Sequence, residues 1–180
     1  LETLGQFKAK ATFFLIGNVS AEHPELVQDL HAQGHSVGIH GLSHVDFRGL
    51  SRRDTREEID GCRGILDAIT GGRPSLFRPP WGRVSPTLLA HCFRERLTLT
   101  LWSFDSLDFK ISGAEELVAR VARPGAVTPG DILLFHDDNA HTPAALPAIL
   151  SQLSRQGFTF SAIVPPTRTP RLRTGKRQIP

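Results

Sequence analysis

Four apolar stretches of this 180-residue chain each run straight into a polar residue of a kind that binds metals, orients anions or moves protons. They are SVGI into His40, SLF into Arg78, TLTLWSF into Asp105 and ILLF into His136. If these stretches are strands of one parallel sheet, their polar followers emerge at the same end, where α/β barrels and open sheets build their sites. In HGLSH, His40 and His44 lie four apart with Gly41 between them, a spacing that lets two imidazoles converge on one cation from a helical turn or tight loop. Because the chain holds 8 histidines, such a pair arises easily by chance, and its position carries the weight. Both residues follow a predicted strand, with Gly38 and Ser43 favouring a sharp polar turn. Surface or core histidines are the plainer alternative.

In FRPPWG, Arg78 precedes two prolines that lock the backbone and donate no hydrogen bonds, so the first free amide belongs to Trp81. A rigid N–H beside an arginine is suited to stabilising an oxyanion; a Pro-Pro turn with a surface arginine is the alternative. DSLD places Asp105 and Asp108 just past a strand, as site carboxylates or as caps for a helix starting near Ser112. LFHDDN puts His136 at a strand end beside Asp137 and Asp138, where a histidine can exchange protons near neutrality.

The elements that must hold these residues alternate strand and helix. ATFFLIG reads as a buried strand, followed by a helix that opens at Pro24 and stops at Gly34. After the HSVGIH strand, Ser51 and Asp54 have capping-box-like spacing, and Ile59, Cys62, Leu66 and Ile69 recur at helical intervals up to Gly71. A short strand leads to Arg78, and Ser85 and Pro86 then open a helix. LTLTLWSF, DILLF and FTFSAI read as further strands, with helices from Ser112 to Pro124 and from Thr142 to Gly157 between them. The count is six strands and five complete helices, with Leu1, Leu4 and Phe7 as the last turns of an earlier helix. Such alternation predicts βαβ crossovers and a parallel sheet, curled into a barrel or left open.

The size and the 39% hydrophobic content suit one globular domain. The net charge of +3 misleads, because Arg168, Arg171, Arg173, Lys176 and Arg177 crowd the last residues and leave 16 bases against 18 acids elsewhere. The domain is therefore expected over 1–164, with 165–180 a basic, solvated and disordered tail rather than a nucleic-acid or cell-wall arm. Cys62 and Cys92 fall in helical patterns without metal-site spacing, which predicts buried thiols. The sequence shows neither an apolar run long enough for a membrane span nor a signal peptide.

Together and in this order, ATFFLIG, GHSVGIHGLSH, FRPPWG, WSFDSLDF and GDILLFHD resemble successive signatures of the polysaccharide deacetylase family. That family is carbohydrate esterase family 4, also called the nodulation-protein deacetylase homology domain. The resemblance runs from about Lys10 to Ile163. It implies a deformed parallel (β/α) barrel, seven-stranded in the family. It also implies a divalent metal, zinc above all, used to hydrolyse N-acetyl or O-acetyl groups on chitin, peptidoglycan or xylan. On this chain His40 and His44 become metal ligands, and His136 becomes the general acid that protonates the departing amine. Arg78 would orient a catalytic carboxylate, Trp81 would supply the oxyanion amide and a sugar-facing wall, and Leu134 would line the acetyl-methyl pocket. Asp108 would hydrogen-bond His136, and Phe109 stands where a tryptophan is common, keeping an aromatic wall without its N–H. Extracellular or cell-envelope placement and an acetylated polysaccharide partner also follow from the resemblance.

The family's first signature, paired aspartates that act as general base and third metal ligand, is expected upstream of Leu1 together with the first strand. A catalytic zinc takes three protein ligands, so two histidines alone imply a loosely held ion unless Asp46, Asp137 or Asp138 bends in. Two other readings compete with the deacetylase. One is a pseudoenzyme or fragment that binds glycans through Trp81 without hydrolysis. The other is a different barrel enzyme, which a lysine or phosphate-cradling glycine loop at a strand end would mark; neither is found.

Overall fold

The computed structural model describes residues 1–165. Apart from Pro165, the basic tail expected over 165–180 lies outside the described residues. In chain order the elements are α1 Glu2–Gln6, β1 Thr12–Leu15, α2 Gly17–Glu22, α3 Pro24–Ala32, β2 Ser36–Ile39, α4 Arg52–Thr70 and β3 Leu76–Phe77. A 3₁₀ turn over Pro80–Gly82 follows, then α5 Pro86–Glu95, β4 Thr98–Leu99, β5 Phe104–Asp105, α6 Ala114–Ala122, β6 Leu133–Leu134 and α7 His141–Arg155. β1 to β4 pair in sequence order as one parallel sheet, and β5 and β6 form a second parallel pair. The α/β expectation stands. The barrel is not closed by a continuous ladder among the described residues.

Local chemistry explains where the helices begin and end. Ser51 caps α4 by accepting a hydrogen bond from Asp54 N–H at 3.2 Å, and Gly71 closes the helix in the left-handed region at φ 67. Ser85 accepts from Leu88 N–H at 3.2 Å with Pro86 in the first turn of α5. α6 ends at Ala122 because Arg123, which precedes Pro124, is forced into an extended conformation. The inward faces of α3, α4 and α5 bury Val27, Ile59, Leu66 and Leu88 against Ile39 and Phe77 of the larger sheet. α6 and α7 build a second cluster of Leu117, Val121, Ile149 and Leu153 against Phe104 and Leu133. Cys62 and Cys92 are buried free thiols, as expected, and burial raises each pKa to about 11.

Three expectations change. LTLTLWSF is not one strand: Thr98–Leu99 pairs with β3, Phe104–Asp105 pairs with β6, and the carbonyls of Thr100 and Leu101 turn to the Arg78 guanidinium instead of a neighbouring strand. FTFSAI forms no strand, because isolated bonds tie it beside β1: Lys10 N–H to Phe160 O at 3.2 Å and Ile163 N–H to Thr12 Oγ1 at 2.8 Å. The segment after ATFFLIG holds an additional helix, α2, ahead of the one that opens at Pro24. Six strands are therefore found among the described residues, but not the same six.

Gly17, the first residue of α2, is pressed onto α4. A Cβ there would lie 2.9 Å from the Cys62 Cα and 2.9 Å from Leu42 Cδ1. Gly17→Ala gains up to about 1 kcal/mol of helix propensity, and backbone displacement of about 1–3 kcal/mol outweighs it. Urea denaturation will show a net loss of stability.

Candidate active site at the ends of the strands

His40 follows β2 directly, and its ring Nδ1 donates to the Arg78 carbonyl at 2.7 Å. That bond fixes the tautomer and leaves Nε2 as the free lone pair. Burial, together with the charges of His44, Arg78 and His136, drives the His40 pKa down to about 4 against the opposing pull of the Arg78 carbonyl, so the ring is neutral at pH 7. The His44 ring stands 5.0 Å from His40, centroid to centroid, and 4.6 Å from Trp81. Its backbone φ of 57 and the φ of 96 at Gly41 bracket the turn between the two histidines.

Arg78 is 8% exposed and lies with its guanidinium 4.2 Å over the Phe14 ring. Its Nη2 donates to Leu101 O at 3.1 Å, and burial lowers its pKa to about 10, still cationic at neutral pH. The two prolines after it place Trp81 in a 3₁₀ turn with φ 54. That turn closes through Gly82 N–H to Pro79 O and Arg83 N–H to Pro80 O, so the Trp81 N–H is not consumed in closing it. The Trp81 side chain is 54% exposed.

The smaller sheet supplies the facing half. Asp108, 1% exposed, receives His136 N–H at 2.6 Å, the His136 Nδ1–H at 2.7 Å and the Thr142 hydroxyl at 2.7 Å. Burial works to raise the Asp108 pKa; the three donors outweigh it and hold the carboxyl below the usual range. Phe109 is 55% exposed, with its ring 5.4 Å from the His136 ring. Leu134 is buried on β6 beside Asp105, whose carboxylate accepts from Leu107 N–H at 2.9 Å. The charge of His136 is among those that lower the His40 pKa, so the two histidine groups lie within electrostatic reach of each other.

His40 and His44 suit a divalent cation as two of its protein ligands, by ring spacing, free Nε2 and the neutral state of His40. Among the described residues, no three His, Cys, Asp or Glu side chains gather as a complete metal site. Asp46 does not serve as a substitute ligand, because Arg83 at 2.7 Å and Arg48 at 2.8 Å occupy its carboxylate. Asp137 and Asp138 are exposed and belong to no such group. Arg78 has no carboxylate partner among the described residues, so the orienting role expected of it has no object there.

Sequence reasoning missed Thr142 and Asn139. Thr142 reads as the opening of the last helix, but its hydroxyl serves Asp108, and Asn139 caps α7 instead by accepting from His141 and Thr142 N–H at 3.0 and 2.9 Å. The available signal was a second capping-type residue three positions ahead of Thr142, which frees the threonine hydroxyl for other use.

The sequence model for polysaccharide deacetylases matches residues 1–94. A peptidoglycan-N-acetylglucosamine deacetylase of Bacillus cereus is 34% identical over 170 residues, covering 90% of this chain and 62% of the relative. The chain thus spans less than two thirds of that protein's length. Among solved structures, a family 4 carbohydrate esterase from Streptomyces lividans in complex with acetate superposes with a TM-score of 0.83 at 30% identity. It covers 91% of this chain and 83% of that one. A Bacillus anthracis pseudoenzyme of the same esterase family gives a TM-score of 0.84 at 26% identity, over 90% of this chain and 57% of that one. These similarities establish that the chain belongs to the polysaccharide deacetylase family.

Proposed function

We propose that this chain carries out metal-dependent hydrolysis of acetyl groups on acetylated glycans, with N-acetylglucosamine polymers of the peptidoglycan kind foremost. The single observation behind this reading is the His136–Asp108 pair within electrostatic reach of the His40–His44 pair. Similarity to a relative named for peptidoglycan-N-acetylglucosamine deacetylation narrows the substrate class. A divalent ion, zinc by its preference for imidazole nitrogen, would polarise the acetyl carbonyl and acidify a water.

The chain's own residues supply the rest. Trp81 N–H, presented by the rigid turn, donates to the carbonyl oxygen as charge builds on it. Asp108 takes His136 Nδ1–H, so Nε2 is the atom that gives a proton to the leaving nitrogen as the C–N bond breaks and acetate departs. The exposed Trp81 and Phe109 rings form walls suited to sugar faces, and Leu134 backs the acetyl methyl. Arg78 contributes a fixed positive charge beneath the site.

A second reading has specific support. The imidazole pair lacks a third ligand, and Arg78 lacks a carboxylate, among the described residues. A chain left in that state binds glycans along Trp81 and Phe109 without cleaving them. Acetate release from N-acetylglucosamine oligomers with zinc added, measured beside oligosaccharide binding, separates the two: binding without release overturns the hydrolase reading.

His136→Gln is expected to lower acetate release by about 10²–10⁴-fold, the usual contribution of a general acid, while oligosaccharide affinity holds. A chelator will abolish release, and zinc will restore it. Asp108→Asn removes the partner that sets the His136 tautomer, and turnover falls further than binding. The same variant changes acid stability. Because the folded Asp108 carboxyl titrates below its unfolded value, its stabilisation is present above the ordinary carboxylate range and is lost as pH falls through the lowered value. Acid unfolding followed by circular dichroism will therefore be shallower in Asp108→Asn.

A further inference from the structure

The turn carrying His44 is held from three sides. Gly17 N–H and Asn18 N–H, at the start of α2, donate to the Gly41 and Leu42 carbonyls at 3.0 Å each. The Leu42 side chain fills a notch that exists only because positions 17 and 61 are glycine, where a Cβ would lie 2.9 and 3.3 Å from its methyl carbons. The remaining polar groups converge on one carboxylate. Glu58 on α4 accepts Leu42 N–H at 2.8 Å and Ser43 N–H at 2.9 Å on one oxygen, and the Ser43 hydroxyl at 2.5 Å on the other. No lysine, arginine or histidine forms a salt bridge with Glu58 among the described residues.

We propose that Glu58 is a positioning residue for the metal pair: its carboxylate clamps Leu42 and Ser43 so that His44 is presented beside His40. The backbone on both sides of the clamped residues is in the left-handed region, at Gly41 with φ 96 and at His44 with φ 57. An L residue rarely holds that conformation unless its surroundings impose it. The bonds from two consecutive N–H groups to one acceptor oxygen impose it here. Glu58 touches neither substrate nor ion in this arrangement; it acts through the shape of the turn. His40 needs no such device, because the end of β2 and the Arg78 carbonyl already place it.

The proposal rests on His40 and His44 being ligands, and its test reads the turn and the ion separately. Amide hydrogen exchange on the metal-free chain reports the turn, and zinc titration reports the pair. In Glu58→Ala the Leu42 and Ser43 amides will exchange at least tenfold faster, while Ile59 and Cys62 in α4 keep their protection. Zinc affinity will fall by roughly 10–100-fold, the usual effect of removing an outer partner of a ligand. Glu58→Gln can accept both N–H groups on its carbonyl and donate to the Ser43 hydroxyl, and will stay within about threefold of the parent.

An unchanged exchange rate at Leu42 and Ser43 in Glu58→Ala overturns the proposal whatever the zinc affinity, as does lost protection with parental affinity. A Glu58→Gln chain as weak as Glu58→Ala also overturns it, by making charge rather than geometry the agent. If the parent binds no zinc, the metal reading fails by itself. The clamp is then decided by amide exchange together with the through-space proton contact between the His40 and His44 rings, which Glu58→Ala must lose.

Discussion

Every strand of the larger sheet meets at Arg78. Its N–H continues the parallel ladder to Ile39 of β2, its carbonyl takes the His40 ring, and its guanidinium donates to the two carbonyls just beyond β4 and lies over Phe14 of β1. One buried residue thereby sets the His40 tautomer through its carbonyl and, through its guanidinium, draws the carbonyls beyond β4 out of the ladder. The cost of burying a guanidinium is met by carbonyl oxygens and an aromatic face, and its positive charge is left uncompensated toward the rim. That charge helps keep His40 deprotonated, the state in which an imidazole can bind a cation.

The smaller sheet solves the opposite problem. Asp108 is a buried anion, satisfied by an amide, an imidazole and a hydroxyl that come from two different elements. A carboxylate collecting this many donors orients them all. The exposed aromatic residues Trp81 and Phe109 are each packed against a histidine of their own half, at 4.6 and 5.4 Å between ring centroids.

Much of this was legible because strand periodicity and capping chemistry are local. Ser51, Ser85 and Pro86 open the helices they were expected to open, and His40 and Arg78 meet where neighbouring parallel strands end. What escaped depends on distant partners. LTLTLWSF has strand composition throughout, yet the arginine twenty-odd residues earlier draws two of its carbonyls out of any ladder. Thr142 has the identity of a helix cap, and only the burial of Asp108 beneath it gives the hydroxyl another task. Asp46 has the right charge for a ligand, but Arg48 and Arg83 claim it first. Glu58 reads as one more acid on a charged helix face, because nothing local reveals the turn that it meets.

The division of the apolar core into clusters has a mechanical consequence. His40, His44, Arg78 and Trp81 are anchored in one packed half, Asp108, Phe109, Leu134 and His136 in the other, and no strand ladder joins β4 to β5. The halves are joined instead by a third cluster, in which Leu146 and Leu150 of α7 pack with Leu4, Ala9 and Phe13, so a ligand lying across both walls would add to an apolar seam that already couples them. Its occupancy would be felt as added stiffness at the join and as a higher melting temperature of the whole.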